Sequence, residues 1–317
     1  MQTERAKGIR AALISAFLLG LSPVLGRQAI LFGFSPLAVV ALRTGFAAIL
    51  LFLIVALFRR QFLFIYPVGL MGCMLAGIIN GFGSIFYYMS LARLPASIGQ
   101  MLYSLYPFFL ALWMLLERQP ISRMTLFRIT LATVAVILLT SDSANQVDWI
   151  GVLMMLTGSL FYALHLPINQ RVLYDVPAPT VTLYTLLGMS AVVIPAFIIF
   201  DPQLPTFLEV PWWPVLGLTL VTFFARLTLF LGVKHLGGMQ TALLGLSELL
   251  VAISFSYVLL DESLTPMQWL GAAGLAISLL LVRVDSLQPP ARRPKGGWLS
   301  WIRPPNSPPD FPWGPRD

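Results

Sequence analysis

Arg226 and Glu248 each interrupt an otherwise apolar run, and the two runs flank a short turn, Lys234-His235-Leu236-Gly237-Gly238. Each charge lies eleven residues from Gly237. At about 1.5 Å of rise per helical residue, both then sit roughly 16 Å from the turn, near the middle of an apolar layer about 30 Å thick. Ionisable groups at that depth are costly; they face a protein interior or a polar cavity and mark solute or ion pathways by default. At matched depth in adjacent helices the two can form an ion pair. The chemistry open to Glu248 is binding of a cationic group or cycling of a proton, with Arg226 tuning it. The structural alternative is a pair that only locks two helices together.

Further polar groups interrupt the apolar runs. Arg27 and Arg43 flank a turn near Phe34, roughly 10–14 Å deep at helical rise. A guanidinium grips a carboxylate through two parallel hydrogen bonds, so both are candidates for holding an acidic group. The competing roles are hydrogen bonding to helix ends and, for Arg27, snorkelling to the interface; Arg128 lies closer to an edge and snorkels. Gln100, Tyr103 and Ser104 share one helical face by their i, i+3, i+4 spacing. With Asn80, Tyr106 and Tyr162 they either line a cavity or bond between helices. His165, which shares a helix with Gln170, is either a packed core histidine or a proton relay. Pro23 and Pro167 lie at nearly equivalent places in the two halves, and helix interruptions at matching places point to a binding site; a packing kink is the bland reading. Glu117, Asp261 and Glu262 sit at membrane edges, suited to capping or gating. Gly72, Gly77, Gly81, Gly83, Gly237 and Gly238 serve close packing or turns, and no phosphate-binding loop is present.

These groups are carried by a chain that is 58% hydrophobic and 10% charged, with mean hydropathy +0.84. A soluble domain would carry about 25% charged residues. Mostly apolar runs of roughly 18 to 24 residues recur along it, which reads as a polytopic helical membrane protein; barrel-type alternation is absent. A single cysteine, Cys73, excludes an internal disulfide and a cysteine zinc site, and two histidines do not make a histidine-box enzyme. The net charge of +7 does not indicate nucleic acid, because the basic residues lie mostly between apolar spans. No cofactor or metal is expected.

Ten spans are predicted, roughly 9–32, 36–57, 66–90, 96–116, 121–140, 148–171, 178–200, 212–234, 239–260 and 265–283. The first is read as a retained span, since no small-residue cleavage site follows Met1 to Arg10. Lys and Arg concentrate in one set of connections, with Arg93 the exception, so both termini are expected in the cytoplasm of a cell (plasma or inner) membrane. A shift of 143 residues aligns Gly8 with Gly151, Pro36 with Pro179 and Gly45 with Gly188. A shift of 142 aligns Arg93-Leu94 with His235-Leu236 and Tyr106-Pro107 with Glu248-Leu249. Five spans per half make the second copy enter from the opposite side, an inverted repeat with a solute path between halves. The expected division is 1–8 as an N-terminus, 9–141 and 147–284 as the two five-helix repeats, and 285–317 as a disordered Pro/Arg-rich cytoplasmic tail. In that tail Trp298 and Trp301 are candidates for touching the membrane surface, with plain linker the preferred reading.

The stretches LGLSPVLGRQAI…SPLAVVALRTGFAAILL, FYYMSLARLPASIGQMLYSLYP, GSLFYALHLPINQRVL and LGLSELLVAISFSYVLLDESLTPMQWLGAAGLAISLLLV resemble the drug/metabolite transporter superfamily, in particular its transporters with two EamA domains. The last stretch is the most specific: Glu248 falls on the family's first acid and Glu262 on its turn acid, with Leu249 where Pro is frequent. The resemblance implies an all-α membrane protein of ten helices in two inverted five-helix repeats that moves small solutes. The expected function is a secondary transporter, exporter or exchanger, of a small metabolite such as an amino acid or drug-like solute. The expected partners are that solute, protons as a candidate coupling ion, and lipid, in a monomer or homodimer. A flippase for a lipid-linked intermediate and a non-transporting scaffold are the alternatives; an enzyme is not expected.

Overall fold

A computed structural model describes residues 2–117, scattered positions between 123 and 134, and residues 148–205, 210–260, 265–280 and 297–302. Most of the expected fifth span, Arg128, Asp261, Glu262 and most of the tail lie outside these residues. Helices α1 (Gln2–Leu31), α2 (Pro36–Phe58), α3 (Pro67–Leu91), α4 (Ala96–Tyr103) and α5 (Tyr106–Leu116) make the first half; a 3-10 turn, Arg60–Leu63, joins α2 to α3. The second half has α6 (Trp149–Leu173), α7 (Ala178–Phe200), α8 (Trp213–Leu236), α9 (Gly238–Gly245), α10 (Ser247–Leu260) and α11 (Pro266–Leu280). With α4–α5 and α9–α10 each taken as one continuous stretch, eight helical stretches among the described residues are long and apolar enough to cross a membrane. No strand occurs among the described residues.

Local chemistry sets the helix ends. Ser35 accepts from Ala38 N–H at 3.1 Å while Pro36 stands in the first turn, where its missing donor is not needed. Asp148 caps α6 by accepting from Ile150 and Gly151 N–H. Gly237, at φ +85°, turns α8 into α9 in a conformation that side chains other than glycine's rarely adopt.

Every major contact in the first half has a counterpart when each helix is exchanged for the one five places on. Helix α1 packs on α8 as α6 packs on α3; α2 on α8 as α7 on α3; α1 on α10 as α6 on α5; α1 on α9 as α6 on α4; and α4 on α10 as α9 on α5. Details follow the same exchange. A Cβ on Gly8 would lie 2.8 Å from Leu236 Cγ, and one on Gly151 would lie 2.9 Å from Leu94 Cγ. Both glycines let a long helix press against the end of its partner. Glu4 meets His235 at 3.2 Å at one end of the bundle, and Asp148 meets Arg93 at 2.8 Å at the other. The aligned positions in sequence are therefore aligned in space.

Two expectations are corrected. Pro23 and Pro167 do not break their helices: α1 and α6 run through them. Each proline removes one backbone bond, but a long helix packed along its length holds its other bonds. The interruptions fall instead at Ser104-Leu105, between α4 and α5, and at Leu246, between α9 and α10. Ser104 and Leu246 are 142 residues apart, so these are equivalent breaks. The tail also departs from expectation, because Leu299 and Ile302 are fully buried while Trp298 and Trp301 stay half-exposed.

Candidate functional site

The freed backbone at the two breaks is met by protein groups, as irregular backbone at membrane depth requires. Tyr103 C=O accepts from Ser159 Oγ at 2.9 Å, and Ala242 C=O accepts from Tyr106 Oη at 2.8 Å. Glu248 lies in the first turn of α10, where the helix dipole favours negative charge. Beside these breaks is a cavity lined by Leu19, Ser22, Arg43, Ser84, Tyr87, Tyr88, Gln100, Tyr103, Tyr162, Arg226 and Glu248. Both halves contribute.

Three charged side chains point into it. Arg43, Arg226 and Glu248 are 5%, 4% and 2% exposed, so none is turned to lipid. Arg43 donates from Nη1 to Thr222 Oγ1 at 3.1 Å and from Nη2 to Ser84 Oγ at 3.3 Å, and its guanidinium lies 4.7 Å from the Tyr88 ring centre. The expected direct ion pair between Arg226 and Glu248 is not formed. Arg226 is held by neutral groups instead. With its amide oxygen facing the guanidinium, Asn80 accepts from Nη1 at 3.0 Å and Nη2 at 2.9 Å. His165 Nε2 lies 3.3 Å from Nη1. His165 Nδ1 faces the Tyr162 carbonyl, so Nδ1 carries the proton and Nε2 is free to accept. The Tyr162 ring covers the guanidinium at 5.7 Å.

Glu248 faces Gln100, whose amide oxygen already accepts from Tyr87 Oη at 3.2 Å. Glu248 Oε1 and the Nε groups of Arg43 and Arg226 have no protein partner. Polar groups so deeply buried normally do. The walls between them are a run of tyrosines, Tyr87–Tyr103–Tyr162–Tyr106, with successive ring centres 4.8, 5.2 and 4.9 Å apart. The site thus offers two cationic forks, one carboxyl group and aromatic faces within one pocket.

The pseudo-symmetry of the fold does not extend to this chemistry. Helix α1 presents Leu19 and Ser22 where α6 has Tyr162 and His165; α3 presents Asn80 and Ser84 where α8 has Thr222 and Arg226. Gln100 and Tyr106 correspond to Ala242 and Glu248.

Of the residues singled out from sequence, Arg43, Gln100, Tyr103, Tyr162, Arg226 and Glu248 line the cavity, and Asn80 and His165 support Arg226 from behind. Arg27 does not reach it. Its Nη1 donates to Leu91 C=O at 2.6 Å, capping the end of α3. Its counterpart Gln170 instead caps the start of α9, accepting from Gly238 N–H at 3.0 Å. Sequence reasoning passed over Leu19, Ser22, Ser84, Tyr87 and Tyr88. Ser84 had a signal, since it is the counterpart of Arg226 under the 142-residue shift. Among the described residues no group of His, Cys, Asp or Glu is arranged to hold a metal ion.

The chain matches the EamA-like transporter family twice, over residues 6–141 and 149–284. The two matches start 143 residues apart, the offset that also aligns Gly8 with Gly151. A solved crystal structure of another protein superposes on 86% of this chain and 99% of its own, with TM-score 0.62 and 18% identity, a likeness that extends to the fold alone. Among curated proteins no match was found. With both halves matched in full, this chain belongs to the EamA-like transporter family, membrane proteins that carry small solutes.

Proposed function

We propose that the chain is a secondary transporter that moves a small carboxylate-bearing solute, an amino acid being the simplest fit, by rocking one half against the other around the Arg43–Arg226–Glu248 pocket. The observation that carries this is the set of three buried charged groups, each with one polar atom left without a protein partner, in one cavity shared by both halves. A solute carboxylate fits the guanidinium forks, which bind such groups bidentately. An ammonium fits Glu248 Oε1, and the tyrosine faces suit the apolar remainder of the solute. Glu248 is also the group suited to proton coupling, because it is the acid at mid-depth beside the break.

Ten crossings fit this reading. Glu117 pairs with Arg171 near one end of α6, and Asp148 caps the other end. The expected fifth span, 121–140, falls between these two positions in sequence. Helix α11 supplies another crossing toward the end that holds 297–302. The basic connections favour that end, with both termini, as the cytoplasmic one.

The test is uptake into proteoliposomes of three labelled solute sets: amino acids, carboxylates without an amine, and amines without a carboxylate. Amino acids are expected to exchange and amines alone are not. Glu248→Gln is expected to abolish dependence on a pH gradient. Gradient dependence unchanged by Glu248→Gln removes Glu248 from coupling, and absence of flux for all three sets removes the reading.

A further inference from the structure

Where α5 and α6 end, the bundle is covered by a piece of chain distant in sequence. Residues 297–302 form two tight turns, with Ser300 N–H bonded to Gly297 C=O at 3.2 Å and Ile302 N–H to Leu299 C=O at 3.1 Å. Leu299 and Ile302 are wholly buried in the same apolar cluster as Tyr66, Val172 and Val176. Ile302 lies over Gly72 of α3, and Trp298 tilts onto Trp113 of α5 with ring centres 6.2 Å apart. The polar anchor is Glu117, itself fully buried. Its Oε1 pairs with Arg171, and its Oε2 accepts from Leu299 N–H at 3.1 Å. Gly297 has φ +85°, and a Cβ there would lie 2.7 Å from the Glu117 carboxyl group. The segment therefore docks against α3 and α5 of the first half and α6 of the second.

The pseudo-symmetry makes this arrangement informative. Among the described residues, the far end shows the half-exposed Arg93–Asp148 pair and no buried ion pair like Glu117–Arg171. Parting the halves at the 297–302 end has to break a buried ion pair, stranding a charge, and to uncover Leu299 and Ile302. Among the described residues, parting them at the other end requires neither.

We propose that residues 297–302 are a latch that holds this end of the solute path shut, and that the latch must undock before that end opens. The consequence for access rests on the alternating-access reading, while the docking does not. In the full chain with Cys73→Ala, reconstituted in nanodiscs, two single-cysteine reporters are labelled with a membrane-impermeant maleimide. Ile302→Cys reports docking and is expected to react far more slowly than an exposed reference, Arg60→Cys. Ser84→Cys reports access to the pocket. Leu299→Asp is expected to speed its labelling about tenfold or more, as a shift of the closed–open equilibrium would. Gly297→Ala, which adds one methyl group against Glu117, is expected to act in the same direction and stands in where Leu299→Asp does not fold. The latch is overturned where Ile302→Cys reacts as fast as Arg60→Cys, or where it is protected yet neither variant changes Ser84→Cys labelling. Faster labelling without flux of any test solute would leave the latch standing and remove the transport reading.

Discussion

The α4–α5 and α9–α10 pairs trace the same path in opposite senses, each broken at an equivalent residue and each packed on the other's partner. Their side chains differ. The first pair brings Gln100, Tyr103 and Tyr106; the second brings Ala242, Gly245 and Glu248 in the corresponding places. Tyr106 uses its hydroxyl to satisfy the Ala242 carbonyl at the opposite break, and it sits where a Cβ on Gly245 would be. One break is thus occupied by a structural tyrosine reaching across, and the other by a carboxyl group left open to the cavity. The same division appears one layer away, where Ser84 of α3 faces Arg226 of α8 across the pseudo-two-fold. Duplication supplied a scaffold in which both halves contribute geometry, while most of the charge sits in the second copy.

The sharpest way to break that asymmetry is to remove its largest charge. Arg226→Ala strips Asn80 and His165 of their shared partner and leaves Glu248 in a pocket with less positive charge. It is expected to cost about 3–5 kcal/mol, the range for cutting one member from a buried charged set, read from thermal unfolding in detergent. Arg226→Lys keeps the charge but not the fork that engages Asn80 twice. It is expected to fold, yet to lose roughly 30-fold in apparent solute affinity, equivalent to about 2 kcal/mol for a lost buried charge contact.

The two outer arginines sharpen the contrast between chemistry and scaffold. Arg43→Ala is expected to lower solute affinity by a similar factor, whereas Arg27→Ala lowers thermal stability without altering solute preference, because Arg27 caps α3 and does not reach the cavity. Gly245→Ala is expected to cost about 1–3 kcal/mol by forcing Tyr106 aside. Tyr106→Phe, which loses only the bond to Ala242, is expected to cost about 1 kcal/mol. The smallest effect belongs to the far end. The Arg93 guanidinium holds the Asp148 carboxyl below the usual carboxylate range. A group with a lowered folded-state pKa adds stability above its unfolded value and loses it as pH falls through the folded one. Arg93→Ala is therefore expected to reduce stability slightly near neutral pH, and the gap to the unmodified chain is expected to close in acid; solvent screening keeps the effect small.

Much of this was legible in the sequence. Buried charges in apolar runs announce themselves, because nothing else in a membrane span costs as much, and Arg226, Glu248 and Arg43 all face the cavity as their depth implied. The repeat was also legible, since Gly8 and Gly151 do the same packing job against Leu236 and Leu94. The helix breaks were not. Proline is the usual marker, but Pro23 and Pro167 are absorbed within long helices. The true breaks carry a proline only in the first half, where Pro107 stands in the first turn of α5 and begins a helix as readily as it ends one. In the second half Leu249 occupies that place, leaving no local signal. The partners of Arg226 were hidden for another reason: Asn80 and His165 come from α3 and α6, and only tertiary packing brings them together. The docked tail was obscured by composition, because Pro and Arg on either side dilute the short Trp298-Leu299-Ser300-Trp301-Ile302 patch.

Solute protection of a cysteine in the cavity decides whether this pocket is the solute path. In a Cys73→Ala chain in proteoliposomes, Ser84→Cys is treated with a small charged thiol reagent, with and without the amino acids that exchange best. Labelling slowed by those amino acids and not by amines alone is the predicted result. Labelling that no carboxylate-bearing solute slows, with flux intact, would contradict the account.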